Sequence, residues 1–198
     1  MKTCSEEQFF AWGKENGIEV VGDYATSTSL SFKPDSGLER FWATPIRPER
    51  RPHFLYLMLR LMGECDSYFV WRHMGSWPAA PDPNDLHEKI EFHLLRSVGL
   101  PMGTTEVVQF DGSEFVELVT LLLTTTVFGW SVGEDLYIVP DHARYIMKTS
   151  HHDVVYVSFR RQLDLDSYVQ EMAKADFPLP TGVPDGTFSI PDWMQNHS

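Results

Sequence analysis

Cysteine is nearly missing. Cys4 and Cys65 are the only two, and neither belongs to a CxxC pair or to a metal-binding His/Cys spacing. A disulfide framework and a zinc finger are both excluded. Long apolar runs are missing too. The longest fall well short of the roughly 20 residues that cross a bilayer, and the opening Met1-Lys-Thr-Cys-Ser-Glu-Glu7 carries acid where a secretory leader would carry an apolar run. No membrane association is expected, and the expected location is the cytoplasm. Positive charge is scarce as well: 16 Lys and Arg stand against 28 Asp and Glu, a net charge of −12. The concentrated cationic surface that phosphate binding requires is therefore absent, and nucleic acid is not an expected partner. The one basic run, Arg47-Pro-Glu-Arg-Arg51, leads directly into an apolar segment and reads as a solvated helix entrance. An acidic surface instead suits a cationic protein partner.

Motifs of common enzymes are also lacking. The glycine-flanked serines, Gly75-Ser76-Trp77 and Gly112-Ser113-Glu114, have no GxSxG elbow around them. Neither GxxxxGK[ST] nor GxGxxG occurs, so the usual phosphate cradles are missing. Cys65 lies between Glu64 and Asp66, an acidic setting that raises a thiol pKa and argues for an inert side chain. No cofactor is expected, and the balance leans away from an enzyme.

What is present is enough apolar and aromatic material, 42% and 13% of the chain, to build a core without staples. Ser5 to Gly17 has a capping serine, acids in the first turn and an Asn-Gly stop, which predicts a helix. Ile18–Val21 and Ser27–Phe32 read as a hairpin or two sequential strands. Glu39 to Pro52 reads as an irregular connection, followed by a Leu- and Met-rich helix over 53–62 that ends at Gly63. Ser67–Arg72 has strand chemistry, and a Pro-rich loop follows from Gly75 to Pro83. In the amphipathic helix of 84–98, Leu86, Ile90, Leu94 and Val98 recur at every fourth position and define the expected buried stripe. Thr105–Phe110 reads as a strand and 114–123 as a helix, with a strand through Thr124–Phe128 as the alternative. Strands are expected at 136–140, 143–147 and 154–159, then a closing helix at 164–174. A Pro-rich tail from about Phe177 is expected to pack, if at all, through Phe188, Ile190 and Trp193.

The expected fold is a single α+β domain over residues 1–198, with a mostly antiparallel sheet and helices packed mainly on one face. Candidate site residues are few. His151, His152 and Asp153 occupy the turn before the last strand and supply two imidazoles and a carboxylate, ligand types that zinc or iron accepts. Adjacent residues in extended backbone point to opposite faces, however, so a solvated surface bend is the simpler reading, with partner contact next. His142 falls at the far end of the same hairpin. His87 and Glu91 stand one helical turn apart without the second histidine of HExxH. The carboxylate pairs Glu64/Asp66 and Asp164/Asp166 sit at element ends, where acids cap. Trp71, Trp77 and Trp130 lie near loops and form either core or an aromatic recognition surface.

The run Leu136-Tyr-Ile-Val-Pro140, the polar turn, and Ser150-His-His-Asp-Val-Val-Tyr-Val157 together resemble the ending of small bacterial immunity-type and related α+β domains. That resemblance covers about 25 of the 198 residues and implies a non-catalytic intracellular binding protein, with recognition of a cationic partner as its sharp form. The alternative is a metal-assisted hydrolase or small-ligand enzyme on His151, His152 and Asp153, with Asp153 orienting an imidazole. A structural subunit that dimerises through the tail is a third class.

Overall fold

The computed structural model describes residues 1–22, 29–73, 75–132, 135–150 and 153–181, with side chains left aside beyond residue 127 of one helix. Among the described residues, nine strands and five α-helices run in the order β1 (Lys2–Cys4), α1 (Glu6–Glu15), β2 (Ile18–Val21), β3 (Ser29–Phe32), β4 (Glu39–Ala43), α2 (Arg51–Arg60), β5 (Ser67–Arg72), α3 (Leu86–Ser97), β6 (Val107–Asp111), α4 (Phe115–Val132), β7 (Leu136–Pro140), β8 (Tyr145–Ser150), β9 (Val154–Phe159) and α5 (Gln162–Lys174). Seven strands form one fully antiparallel sheet in the order β1-β6-β5-β7-β8-β9-β4, and β2 with β3 makes a separate hairpin. The fold is a single α+β domain.

The central strands read as near-continuous apolar runs because both of their faces are covered. Every residue of β5 and of β7 is buried. One face carries Tyr68, Val70, Ile138, Met147, Val155 and Val157 against α2, α3, α4 and α5. The opposite face carries Phe69, Trp71, Tyr137, Val139 and Ile146 against α1 and the β2–β3 hairpin. Helices therefore lie mainly on one side, and α1 is the exception. Its start is a complete capping box, in which the Gln8 amide donates to Ser5 Oγ (3.2 Å) and the Ser5 amide to Gln8 Oε1 (2.9 Å). Gly17, at φ +66°, turns the chain directly into β2.

Several expectations shift. Glu39 to Ala43 is a strand, not an irregular connection: β4 closes one edge of the sheet against β9, with Phe41 opposite Tyr156 and Trp42 opposite Val155. β1 closes the other edge against β6. The stripe of α3 is out of phase with the sequence reading. Leu86 is 67% and Ile90 40% exposed, while Glu91 (3%), Leu95 (1%) and Val98 (8%) face the core. Positions 91, 95 and 98 also obey helical spacing, and the carboxylate among them hid that phase. The alternative of a strand after residue 123 is excluded, because α4 continues to Val132. The strand expected from 143 begins at Tyr145, since Ala143 sits in the β7–β8 turn at φ +51°. Phe177 packs on Phe54, with ring centroids 5.2 Å apart, and accepts a bond from Trp42 Nε1 at its carbonyl (3.2 Å). Phe188, Ile190 and Trp193 lie outside the described residues.

Candidate functional site: an acidic sheet end and a cleft beneath the hairpin

Of the sequence candidates, His151 and His152 lie outside the described residues, as does the side chain of Trp130. Asp153 adopts φ +56°, and its carbonyl accepts from the Thr44 amide (2.7 Å), so the β8–β9 turn is tied to the end of β4. Among the described residues, no group of three or more His, Cys, Asp or Glu is placed to hold a metal ion.

Trp71 and Trp77 fall on the core side of the two readings the sequence leaves open. Trp71 is fully buried in a central strand, opposite Tyr137, and its Nε1 donates to Glu6 Oε1 (2.6 Å). Trp77 is buried as well: its Nε1 donates to the Glu106 carbonyl (3.1 Å), and its backbone is clasped by Thr104 and Gly103 (2.8 and 2.9 Å). A large ring that finds an internal partner for its N–H gains more from burial than from solvent. Neither belongs to a recognition surface. Arg72 is also buried, donating to the Ser76 carbonyl.

Two of the three arginines in the basic run before α2 are used internally. Arg51 donates to the carbonyls of Pro45 (3.0 Å) and Thr126 (2.9 Å), and Arg50 pairs with Asp176 (3.1 Å) while stacking over Phe177. Asp164 and Asp166 serve the start of α5, the first through a two-pronged bond from Arg161 (2.7 and 2.7 Å), the second through Gln162 (2.7 Å). His142 links the β7–β8 turn to the end of α2: the Arg144 amide donates to Nδ1 (3.2 Å), and Nε2 donates to the Met62 carbonyl (3.1 Å). Burial, then the nearby Arg144 charge, holds this imidazole below its ordinary pKa.

Acids collect where β5 begins and β6 and β7 end. The register sets Ser67 opposite Asp111, the Gly112 amide donates to the Asp66 carbonyl (2.8 Å), and Asp141 accepts from the Ser67 amide (3.0 Å). Three carboxylates thereby gather at one end of the sheet, with Glu64 and Glu114 beside them. Asp111 and Glu114 are held below the ordinary carboxylate range. For Asp111 the main cause is the Ser113 amide, and for Glu114 it is the Met1 terminal amine. Gly112 fits closely here: a Cβ would stand 3.0 Å from the Cys65 carbonyl oxygen, and that backbone would have to give by a few tenths of an ångström. Next to these acids opens a notch of about 640 Å³, lined by Tyr56, Arg60, Glu64, Asp66, Tyr68 and Phe115. Tyr56 and Phe115 meet edge to face at 5.7 Å. Cys65 lies in the wall, its thiol pushed up to about 11 by burial and by Asp141 and Asp66, which makes it a poor nucleophile. The stretch between Arg96 and Arg144 has seven acids and no Lys or Arg; the cations at this end are Arg60 in the wall of the notch, the Met1 amine paired with Glu114, and Lys2, which with that amine acts on Asp111.

A second concavity, of about 320 Å³, lies on the other face of the sheet, between the β3 hairpin strand and strands β7, β8, β9 and β4. Strand register builds its floor. Tyr137, Lys148, Tyr156 and Phe41 are successive cross-strand neighbours, one from each strand, and the first three line the cleft. A third, mainly apolar groove of about 540 Å³ runs between α1 and β2, past Phe10 and Val20.

No protein-family model, curated protein or solved structure matches this chain.

None of these concavities was legible as a site. Their walls come from segments as distant as residues 29 and 158, or 56 and 115, which only the strand register brings together.

Proposed function

We propose that this chain is a non-catalytic binding protein for a cationic protein partner, and that it docks that partner at the acidic end of its sheet. In its sharp form the role is immunity-like, with the chain covering a basic toxin domain. The observation that carries the reading is the convergence of Glu64, Asp66 and Asp111 beside an open aromatic notch. Carboxylates at an open rim steer a basic surface and set its register, while Tyr56 and Phe115 offer ring area for the stem of an incoming Lys or Arg. The net charge of −12 extends the attraction beyond the contact itself. Inert chemistry at Cys65 and internal use of Asp164 and Asp166 are in keeping with binding over turnover.

The test is affinity capture from the native host with the full chain as bait. A basic protein held at 1:1 stoichiometry is expected, with capture weakening as salt rises. The pair Glu64→Lys and Asp66→Lys should abolish capture while thermal unfolding stays cooperative. Retention of the same protein by the charge-reversed chain, or a captured partner with no excess of Lys and Arg, would refute the reading.

A further inference from the structure

The cleft beneath the hairpin is built unlike the acidic notch. Its floor is the register row Tyr137–Lys148–Tyr156, and its rim carries Asp35, Glu39 and Ser158. Lys148 Nζ stands 4.5 Å from the Tyr156 ring centroid and 3.5 Å from Asp135 Oδ2. Its side chain is about one-quarter exposed, so an ammonium with three donors is held within reach of whatever fills the cleft. At the rim, Glu39 Oε2 accepts from Ser158 Oγ (2.9 Å) and Asp35 Oδ1 from the Gly37 amide (2.9 Å). Each carboxylate is thereby fixed in place and presents a second oxygen.

This lining selects by chemistry. An anion meets Asp35 and Glu39 against a single ammonium that already faces Asp135, so it is repelled. A cation meets Lys148 at the floor. An apolar ligand would strip water from an ammonium, the tyrosine hydroxyls and the hydroxyls of Ser29, Ser31 and Ser158 without replacing the lost bonds, a large penalty for each group. A neutral ligand rich in hydroxyls satisfies every one of these groups. Its O–H groups donate to the rim carboxylates and to the Ser31 and Ser158 oxygens, whose own protons already go to the Phe32 carbonyl and to Glu39, its oxygens accept from Lys148, and its C–H face lies against a tyrosine ring. The volume sits at the small end of the range for ligand pockets, enough for one sugar ring or the end of a chain.

We infer that the cleft bounded by Ser31, Glu39, Tyr137, Lys148 and Tyr156 is a saccharide-binding site. The site is independent of the acidic notch and stands on the opposite side of the sheet from α2, α3, α4 and α5.

An amide-resolved NMR titration of the full chain tests it. The panel is glucose, galactose, mannose and N-acetylglucosamine with the tetrasaccharide of each, plus arginine methyl ester and inorganic phosphate as contrary probes. At least one saccharide should give saturable shifts confined to residues 29–32, 35–39, 137, 146–148 and 156–158. Saturation by a monosaccharide assigns a free sugar as the source of the ligand; saturation by tetrasaccharides alone assigns a glycan chain. Both outcomes support the inference. Lys148→Met, which keeps the apolar stem, and Glu39→Gln should each weaken binding about tenfold. Both variants should keep the wild-type near-UV circular dichroism, and Glu64→Lys should leave sugar binding unchanged. The inference is overturned if no saccharide saturates, if the shifts map elsewhere, if either cleft variant binds as the wild type does, or if only the arginine ester or phosphate fills the cleft.

Discussion

The two faces of the sheet are covered in different ways. Against one face four helices seat a continuous core that reaches from Trp42 and Phe54 to Tyr168 and Phe177. Against the other stand a single ten-residue helix and a two-stranded hairpin, with a smaller core around Phe9, Trp71 and Tyr137. The helical face is spent on stability. The second face is only partly covered, and its uncovered stretch over β8, β9 and β4 is where the cleft lies. Incomplete cover leaves polar and aromatic side chains at sheet positions that a helix would otherwise fill with aliphatics.

The largest effects should come from truncating each core in turn. Phe54→Ala and Phe9→Ala both remove a fully buried ring and should cost about 3–5 kcal/mol each. Their consequences should differ in extent. Hydrogen exchange on Phe9→Ala is expected to show lost protection in α1, β2 and β3 with the seven-strand sheet still protected, whereas Phe54→Ala should lower protection throughout. Uniform loss in both would erase the distinction between the layers. Next in size is Trp71→Phe, which deletes the Nε1–Glu6 bond that anchors α1 to the sheet. It should cost about 1–3 kcal/mol in urea unfolding, whereas Glu6→Gln, whose amide Oε1 still accepts from Trp71 Nε1, should cost less because only the charge assistance is lost.

A smaller effect is expected from pH. His142 is neutral in the fold, with Nδ1 accepting and Nε2 donating. Its folded pKa lies below the ordinary value of about 6.5, so the unfolded chain takes up the proton first as pH falls through that value. Stability from this group is complete above pH 6.5 and is lost progressively below it. Urea midpoints at pH 7.5 and 5.5 should therefore separate more for the wild type than for His142→Gln. Equal separations would remove His142 from the account. Smallest of all for stability are Glu64→Lys and Asp66→Lys, both exposed, which should shift unfolding by no more than about 0.5 kcal/mol even as they abolish partner capture.

Much of the helical face was legible because periodicity and caps agree there. Ser5 caps α1 at the position the sequence marks, and of the two residues able to cap α3, Asn84 and Asp85, it is Asp85 that accepts from the His87 and Glu88 amides. The β-branched runs of β7 and β9 were equally plain. Edge strands were not: β4 reads Glu-Arg-Phe-Trp-Ala, half exposed and charged, which is the composition that keeps an edge from pairing with strangers. Nor was the phase of α3, since a carboxylate inside a buried stripe breaks the pattern that locates it. The cleft stayed invisible because Lys148 and Tyr156 become neighbours only through a register that no single segment encodes.

The far placement of β4 also sets an order on biosynthesis. Glu39 reaches its partner Ser158 across 119 residues, so that edge can be zipped only after β9 has been made. Until then Trp42, destined to be walled in by Tyr168 and Phe177, travels uncovered. A core ring whose cover comes from more than 120 residues downstream is a contact of high sequence separation, the kind that slows folding.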